Sequence, residues 1–191
     1  MSIKKVAILF SGSGTNLENL LEKLHLKEFG EIKIEVVATI CNNPNAKGIH
    51  RSKKYGIEPT IIDHKKYKAR EEFDARLADE IKKSGAELTV LAGFMRFLTP
   101  VFTKNINAIN LHPSLLPLFK GGHAIEESFE SNMKVGGITV HYVNEELDGG
   151  AIIAQKCFEK TADMGMEKYE EKIHKLEYEL LPEVIIELLS K

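Results

Sequence analysis

Short apolar runs alternate with stretches of helical period along most of this chain. Residues 5–10, 34–40, 59–62, 88–92 and 107–111 have strand character, while 17–26, 46–55, 70–83 and 125–131 repeat their apolar positions at helical spacing. Strand, helix, strand in succession predicts parallel pairing. The run Val6-Ala7-Ile8-Leu9-Phe10 is apolar throughout, as a strand covered on both faces requires. After Gly136 the pattern changes: 137–143 and 151–158 are strands with no room between them for a crossover helix, so they should pair antiparallel. The fold class is therefore α/β, a doubly wound, mostly parallel sheet with an antiparallel C-terminal portion. From Met166 onward Ile173, Leu176, Leu180 and Leu181 form an apolar stripe, with Glu170, Lys172, Glu177 and Glu179 outside it. Pro182 predicts a kink or a restart in that helix.

Polar chemistry enters this pattern at Asn110-Leu111-His112-Pro113-Ser114-Leu115-Leu116-Pro117. Alternate side chains of a strand share a face, so Asn110 and His112 project together while Ile109 and Leu111 point into the core. Ile106 and Ala108 lie upstream on the polar face, so its polarity appears only at the carboxyl end of the strand, where open α/β sheets hold their sites. Downstream, Leu147-Asp148-Gly149-Gly150 supplies a carboxylate. An imidazole that moves a proton, an amide that donates to an oxyanion and a carboxylate that orients the imidazole suffice for acyl transfer.

The segment Phe10-Ser11-Gly12-Ser13-Gly14-Thr15-Asn16 joins the first strand to the first helix. Glycines there let backbone N–H groups turn toward an anion at a helix N-terminus, which suits a phosphate. Thr15 and Glu18 also have capping-box spacing, so a plain helix start fits the residues equally well. A dinucleotide site does not fit: Leu17 replaces the third glycine of the fingerprint, and the second strand ends in Cys41-Asn42-Asn43 with no ribose-binding acid. A Walker loop is excluded because no Gly-Lys-Ser/Thr follows.

Charge and composition narrow the partners. Lys plus Arg number 26 against 28 Asp plus Glu, a net charge of −2, so no bulk field favours nucleic acid or an anionic membrane. The apolar stretch near the N-terminus is too short to span a bilayer, and the reading is a cytoplasmic protein with neither nucleic acid nor membrane as partner. Cys41 and Cys157 form no CxxC pair and read as reduced, partly buried thiols. The seven histidines show no H-x-x-x-H spacing, so no metal is expected. His141 reads as a packed or edge histidine, His123 as a residue lining the pocket from its flexible loop, and Arg96, on spacing alone, as surface charge.

Four motifs together resemble the phosphoribosylglycinamide formyltransferase family, folate-dependent enzymes of purine synthesis: Ser11-Gly12-Ser13-Gly14-Thr15-Asn16, Ala92-Gly93-Phe94-Met95-Arg96, the Asn110 to Pro117 run, and Glu146-Leu147-Asp148-Gly149-Gly150. The second pair is shared with other users of formyltetrahydrofolate; the glycine loop discriminates better, because in that family it holds the nucleotide phosphate. The resemblance implies a formyltransferase fold with a Rossmann-like N-terminal half. It implies a single domain over residues 1–191, with nucleotide-phosphate binding in roughly 1–100 and catalysis and folate binding in roughly 101–191.

The same resemblance implies Asn110, His112 and Asp148 as catalytic residues, and Gly14, Thr15, Asn16 and Glu177 on the nucleotide, Glu177 near its glycinamide portion. It places Arg70, Met95, Arg96, Phe97, Leu98, Asn110, Asn144, Glu145, Glu146 and Leu147 around the folate. The partners implied are two small molecules, 5'-phosphoribosylglycinamide and 10-formyltetrahydrofolate, the latter a cosubstrate with no cofactor tightly bound, and the chain is expected to be a monomer or weak homodimer. Lys120 departs from the family, where many relatives have proline. Rivals are a formyltetrahydrofolate hydrolase, whose relatives carry a further N-terminal regulatory domain; a methionyl-tRNA formyltransferase, whose relatives carry an RNA-binding domain; and a non-catalytic phospholigand-binding module.

Overall fold

A computed structural model describes all 191 residues. Its elements run β1 (Ser2–Phe10), α1 (Thr15–Leu24), β2 (Lys27–Phe29), β3 (Ile32–Cys41), α2 (Gly48–Lys54), β4 (Thr60–Ile61), a 3-10 turn at His64–Lys66, α3 (Arg70–Ser84), β5 (Leu88–Leu91), α4 (Pro100–Thr103), β6 (Ala108–His112), α5 (Ala124–Glu130), β7 (Val135–Tyr142), β8 (Ile152–Glu159) and α6 (Met166–Leu189). One sheet takes the order β2-β3-β1-β5-β6-β7-β8, with β4 beside the end of β3. Strands β3, β1, β5 and β6 are parallel; β7 pairs antiparallel with β8, as the lack of room for a crossover helix between them predicts, and it also runs antiparallel to β6 although α5 lies between those two.

Alternation along the strands divides the core. Val6, Ile8, Val90, Ile109 and Leu111 face one layer with Leu17, Leu20 and Leu24 of α1 and Ile173, Leu181 and Ile185 of α6. Ala7, Leu9, Leu91 and Ala108 face the other, with Phe73, Leu77 and Ile81 of α3 and Phe102 of α4. Helices on both faces make the sheet doubly wound. Each such Leu, Ile or Phe is worth about 1.5–3 kcal/mol when fully buried, which holds the carboxyl ends of β1, β5 and β6 in fixed register.

Two local features go beyond the sequence pattern. β2, antiparallel to β3, carries no signal there, because a three-residue strand leaves no periodicity to read. Pro182 does not restart α6, which runs 24 residues through it. A proline frees the carbonyl four residues earlier. Here that carbonyl, on Tyr178, accepts hydrogen bonds from Asn19 Nδ2 at 3.1 Å and Lys23 Nζ at 2.7 Å, both on α1. Packing against α1 thus replaces the bond that the helix loses.

Candidate active site

The site is assembled where β1, β5, β6 and β7 end. Asn110 and His112 share one face of β6, as alternation requires, and β7 lies alongside with Asn110 opposite His141 and His112 opposite Thr139. Asp148 comes from the β7–β8 connection and adopts a left-handed backbone, φ 46°, which asparagine and aspartate accept more readily than most residues. Its carboxylate is the hub. Oδ2 accepts the Gly121 N–H at 2.9 Å and lies 3.4 Å from His112 Nδ1. Oδ1 lies 3.4 Å from Asn110 Nδ2 and 3.6 Å from His141 Nε2.

Burial alone would raise the Asp148 pKa; hydrogen bonding with His141 and the Gly121 N–H, with the positive charge of His112 and His141, outweighs it and holds the carboxyl below the usual carboxylate range. Its charge is therefore present at neutral pH. His112 is 4% exposed and its Nε2 donates to the Phe119 carbonyl at 2.8 Å, so both ring nitrogens face oxygen acceptors. The loop that carries Phe119 is pinned in turn: Ser114 Oγ donates to Leu118 O, and the fully buried Thr139 hydroxyl donates to Ser114 O and accepts from Leu116 N–H.

In this arrangement the amide nitrogen of Asn110 is directed inward, 3.1 Å from His141 Nε2 and 3.4 Å from Asp148 Oδ1, to which it donates. An incoming carbonyl oxygen must displace one of these partners. The longer contact, to Asp148, is the weaker hydrogen bond and the one to give way.

A cleft of about 860 Å³ opens beside this hub. On one side it is lined by the glycine loop, including Gly14, Thr15 and Asn16, with Glu177 and His174 from α6. The capping box does not form: Gly14, at φ 73°, occupies the N-cap, and Glu18 pairs with Arg51 and Lys54 instead. Glu177 is 5% exposed and accepts from Asn16 Nδ2 at 3.0 Å and His174 Nδ1 at 2.9 Å, which raises the His174 pKa against the effect of burial. On the other side lie Arg70, Met95, Arg96, Phe97 and Leu98 together with Asn144, Glu145, Glu146 and Leu147. Met95 and Phe97 are largely exposed, and the Arg70 guanidinium sits 5.6 Å over the Phe97 ring. Lys120 Nζ meets Glu146 Oε1 at 2.7 Å across the mouth.

The structure thus brings every site residue implied by the resemblance into one cleft, with two corrections among the others. His141 is packed as expected, 3% exposed, and it also contacts both Asn110 and Asp148. His123 starts α5 and is exposed outside the lining, where Gly121, Gly122 and Ile125 are found. Arg96 is no free surface charge; its guanidinium lies 5.1 Å over Phe73, with Nε buried. Sequence reasoning also missed His174 and Ser11. The signal for His141 was present in Thr139 and His141, polar at alternate positions of an otherwise apolar strand, but the register that sets them against β6 is a tertiary fact.

Comparison with known proteins follows this geometry. Residues 4–185 match the Formyl transferase family. The chain is 36% identical to phosphoribosylglycinamide formyltransferase of Bacillus subtilis over 190 residues, 98% of this chain and 96% of that one. It is 39% identical over 181 residues to the trifunctional purine biosynthetic protein adenosine-3 of Gallus gallus, covering 93% of this chain and 18% of that protein. The crystal structure of phosphoribosylglycinamide formyltransferase from Campylobacter jejuni superposes with a TM-score of 0.96 at 64% identity, covering 97% of each chain.

Proposed function

The chain belongs to the formyl transferase family, and on that premise we propose that it transfers the formyl group of 10-formyltetrahydrofolate to the amine of 5'-phosphoribosylglycinamide. The products are phosphoribosyl-N-formylglycinamide and tetrahydrofolate, a step of purine biosynthesis. One observation carries this reading: an ionised, buried Asp148 holding Asn110, His112 and His141 sits between a glycine loop at a helix start and an exposed aromatic segment, in one cleft.

In this reading the acceptor phosphate rests on the backbone of Gly14, Thr15 and Asn16, at the positive end of α1. Glu177 lies near the glycinamide portion. The folate occupies the side formed by Arg70, residues 95–98 and 144–147, as a cosubstrate consumed in each turnover. The amine nitrogen attacks the formyl carbon, and the carbonyl electron pair moves to oxygen. That oxygen accepts a hydrogen bond from the Asn110 amide hydrogen now directed at Asp148, and another from the His112 Nδ1–H, which it shares with Asp148 at 3.4 Å while Nε2 stays on the Phe119 carbonyl. The oxygen electron pair then re-forms the carbonyl as the bond from carbon to the folate nitrogen breaks, and His112 gives its proton to the leaving nitrogen and takes up the one that the attacking amine loses. Asp148 keeps its charge and stabilises His112 whenever the ring is protonated. No covalent enzyme intermediate is formed.

The phosphate assignment is tested by an acceptor that lacks its phosphate. Loss of one or two charge-assisted hydrogen bonds should raise its KM on the order of 10²-fold. Equal KM values for the two acceptors would remove the glycine loop from the account.

A further inference from the structure

The two sides of the cleft are joined through one side chain to which the mechanism gives no part. Ser11 follows β1 directly and begins the glycine loop. Its hydroxyl Oγ accepts the Met95 N–H at 2.8 Å, and its own N–H donates to Gly93 O at 3.1 Å. Its carbonyl accepts from Asn43 Nδ2 at 3.3 Å, tying the same residue to the β3–α2 connection. Three residues further on is Gly14, whose Cα approaches that of Gly48, and Gly48 N–H donates to Gly12 O at 3.1 Å. The span from Ser11 to Gly14 is therefore braced as one unit, so that a shift an anion imposes at Gly14 is carried to Ser11.

The segment beyond Met95 is not stiff in the same way. Met95 is 70% exposed and Phe97 54%, so little core packing fixes them. Among its anchors are the bond to Ser11 at one end, the Thr99 N–H on Asp74 at the other, and between them Arg96, lying over Phe73 with its N–H on Phe94 O, and Arg70 over Phe97. A change in position of the glycine loop reaches Met95 through a 2.8 Å hydrogen bond and meets little resistance there.

We propose that Ser11 is a positioning residue that couples the two substrate sites: an anion seated on Gly14 to Asn16 fixes the loop, and the Ser11 hydroxyl transmits that order to residues 95–98, so that nucleotide and folate each strengthen the other's binding. The proposal rests on the functional reading above. Coupling of this kind is reciprocal, so the factor by which nucleotide improves folate binding equals the factor by which folate improves nucleotide binding.

The test uses the full chain with 5'-phosphoribosylglycinamide and tetrahydrofolate, a pair that cannot react because no formyl group is present. Calorimetric titration gives the dissociation constant of each ligand alone and with the other saturating. The wild type should show a coupling factor of about fivefold or more, within the range usual for linked sites. Ser11→Ala should bring the factor close to one, and Ser11→Thr, which restores the acceptor, should recover it. A wild type that binds both ligands independently overturns the proposal, as does a Ser11→Ala protein whose affinities fall while the coupling factor persists. A wild type that binds neither ligand overturns the functional reading itself, and the coupling with it.

Discussion

In the proposed mechanism Asp148 is the residue on which the chemistry turns, because three polar side chains and one backbone N–H converge on a single carboxylate that is 8% exposed. Its replacement is best made with asparagine, which keeps the shape and accepts φ 46°, whereas alanine adds backbone strain to the loss of charge. Asp148→Asn, His112→Ala and Asn110→Ala should each lower kcat by about 10²–10⁴, the usual scale for a lost acid-base or oxyanion partner. Near-normal turnover in all three purified variants would remove the hub from the mechanism. The carboxyl pKa is depressed in the folded state, so Asp148 contributes stability that is present above the ordinary carboxylate pKa and is lost as pH falls through the lowered value. Melting temperatures followed from pH 7 into the acid range should show a shallower acid limb for Asp148→Asn than for the wild type. The sequence made Asn110, His112 and Asp148 legible because polarity on an apolar strand needs a reason. It could not reveal His141, whose partner sits 31 residues away and is fixed only by the antiparallel register of β6 and β7.

The glycine loop separates two roles that look alike as letters. Gly14 is required by its own backbone: φ is 73°, and a Cβ there would meet Gly48 Cα at 2.6 Å. Gly12 has open space around its Cβ position and lines the cleft. Gly14→Ala should therefore destabilise by roughly 1–3 kcal/mol, the cost of overpacking plus a left-handed residue, and lower the melting temperature by several degrees. Gly12→Val should leave the melting temperature near that of the wild type and raise the nucleotide KM by crowding the backbone that faces the phosphate. The opposite pattern would mean that Gly12 shapes the fold and Gly14 the ligand site. Most elements were readable, since five parallel-type runs and their helices carry strong periodicity. What was not readable was either too short to carry a period, as β2 is, or settled by tertiary contacts: Glu18 is drawn from its capping position by Arg51 and Lys54, and α6 runs through Pro182 because Asn19 and Lys23 reach the freed Tyr178 carbonyl.

At the scale of the whole molecule, a doubly wound sheet brings the carboxyl ends of β1, β5 and β6 to one edge, where the loops after them form the two sides of a single cleft. β7 and β8 then return antiparallel and their connection delivers Asp148 between those sides. No helix is long and apolar enough to cross a membrane. On the proposed placement of the substrates, the arrangement favours transfer over hydrolysis for a positional reason. An amine held beside the formyl carbon by its phosphate acts at an effective concentration that can reach about 10⁵ M or more, whereas a mobile water has no such anchor.

The central claim is that the formyl group passes to a bound nucleotide amine, and it is tested most directly by following 10-formyltetrahydrofolate consumption with and without 5'-phosphoribosylglycinamide. Release of tetrahydrofolate should be slow without the nucleotide, rise steeply when it is added, and yield one formylated nucleotide for each tetrahydrofolate formed. Rapid tetrahydrofolate release that is indifferent to the nucleotide, with formate as the product, would contradict the account.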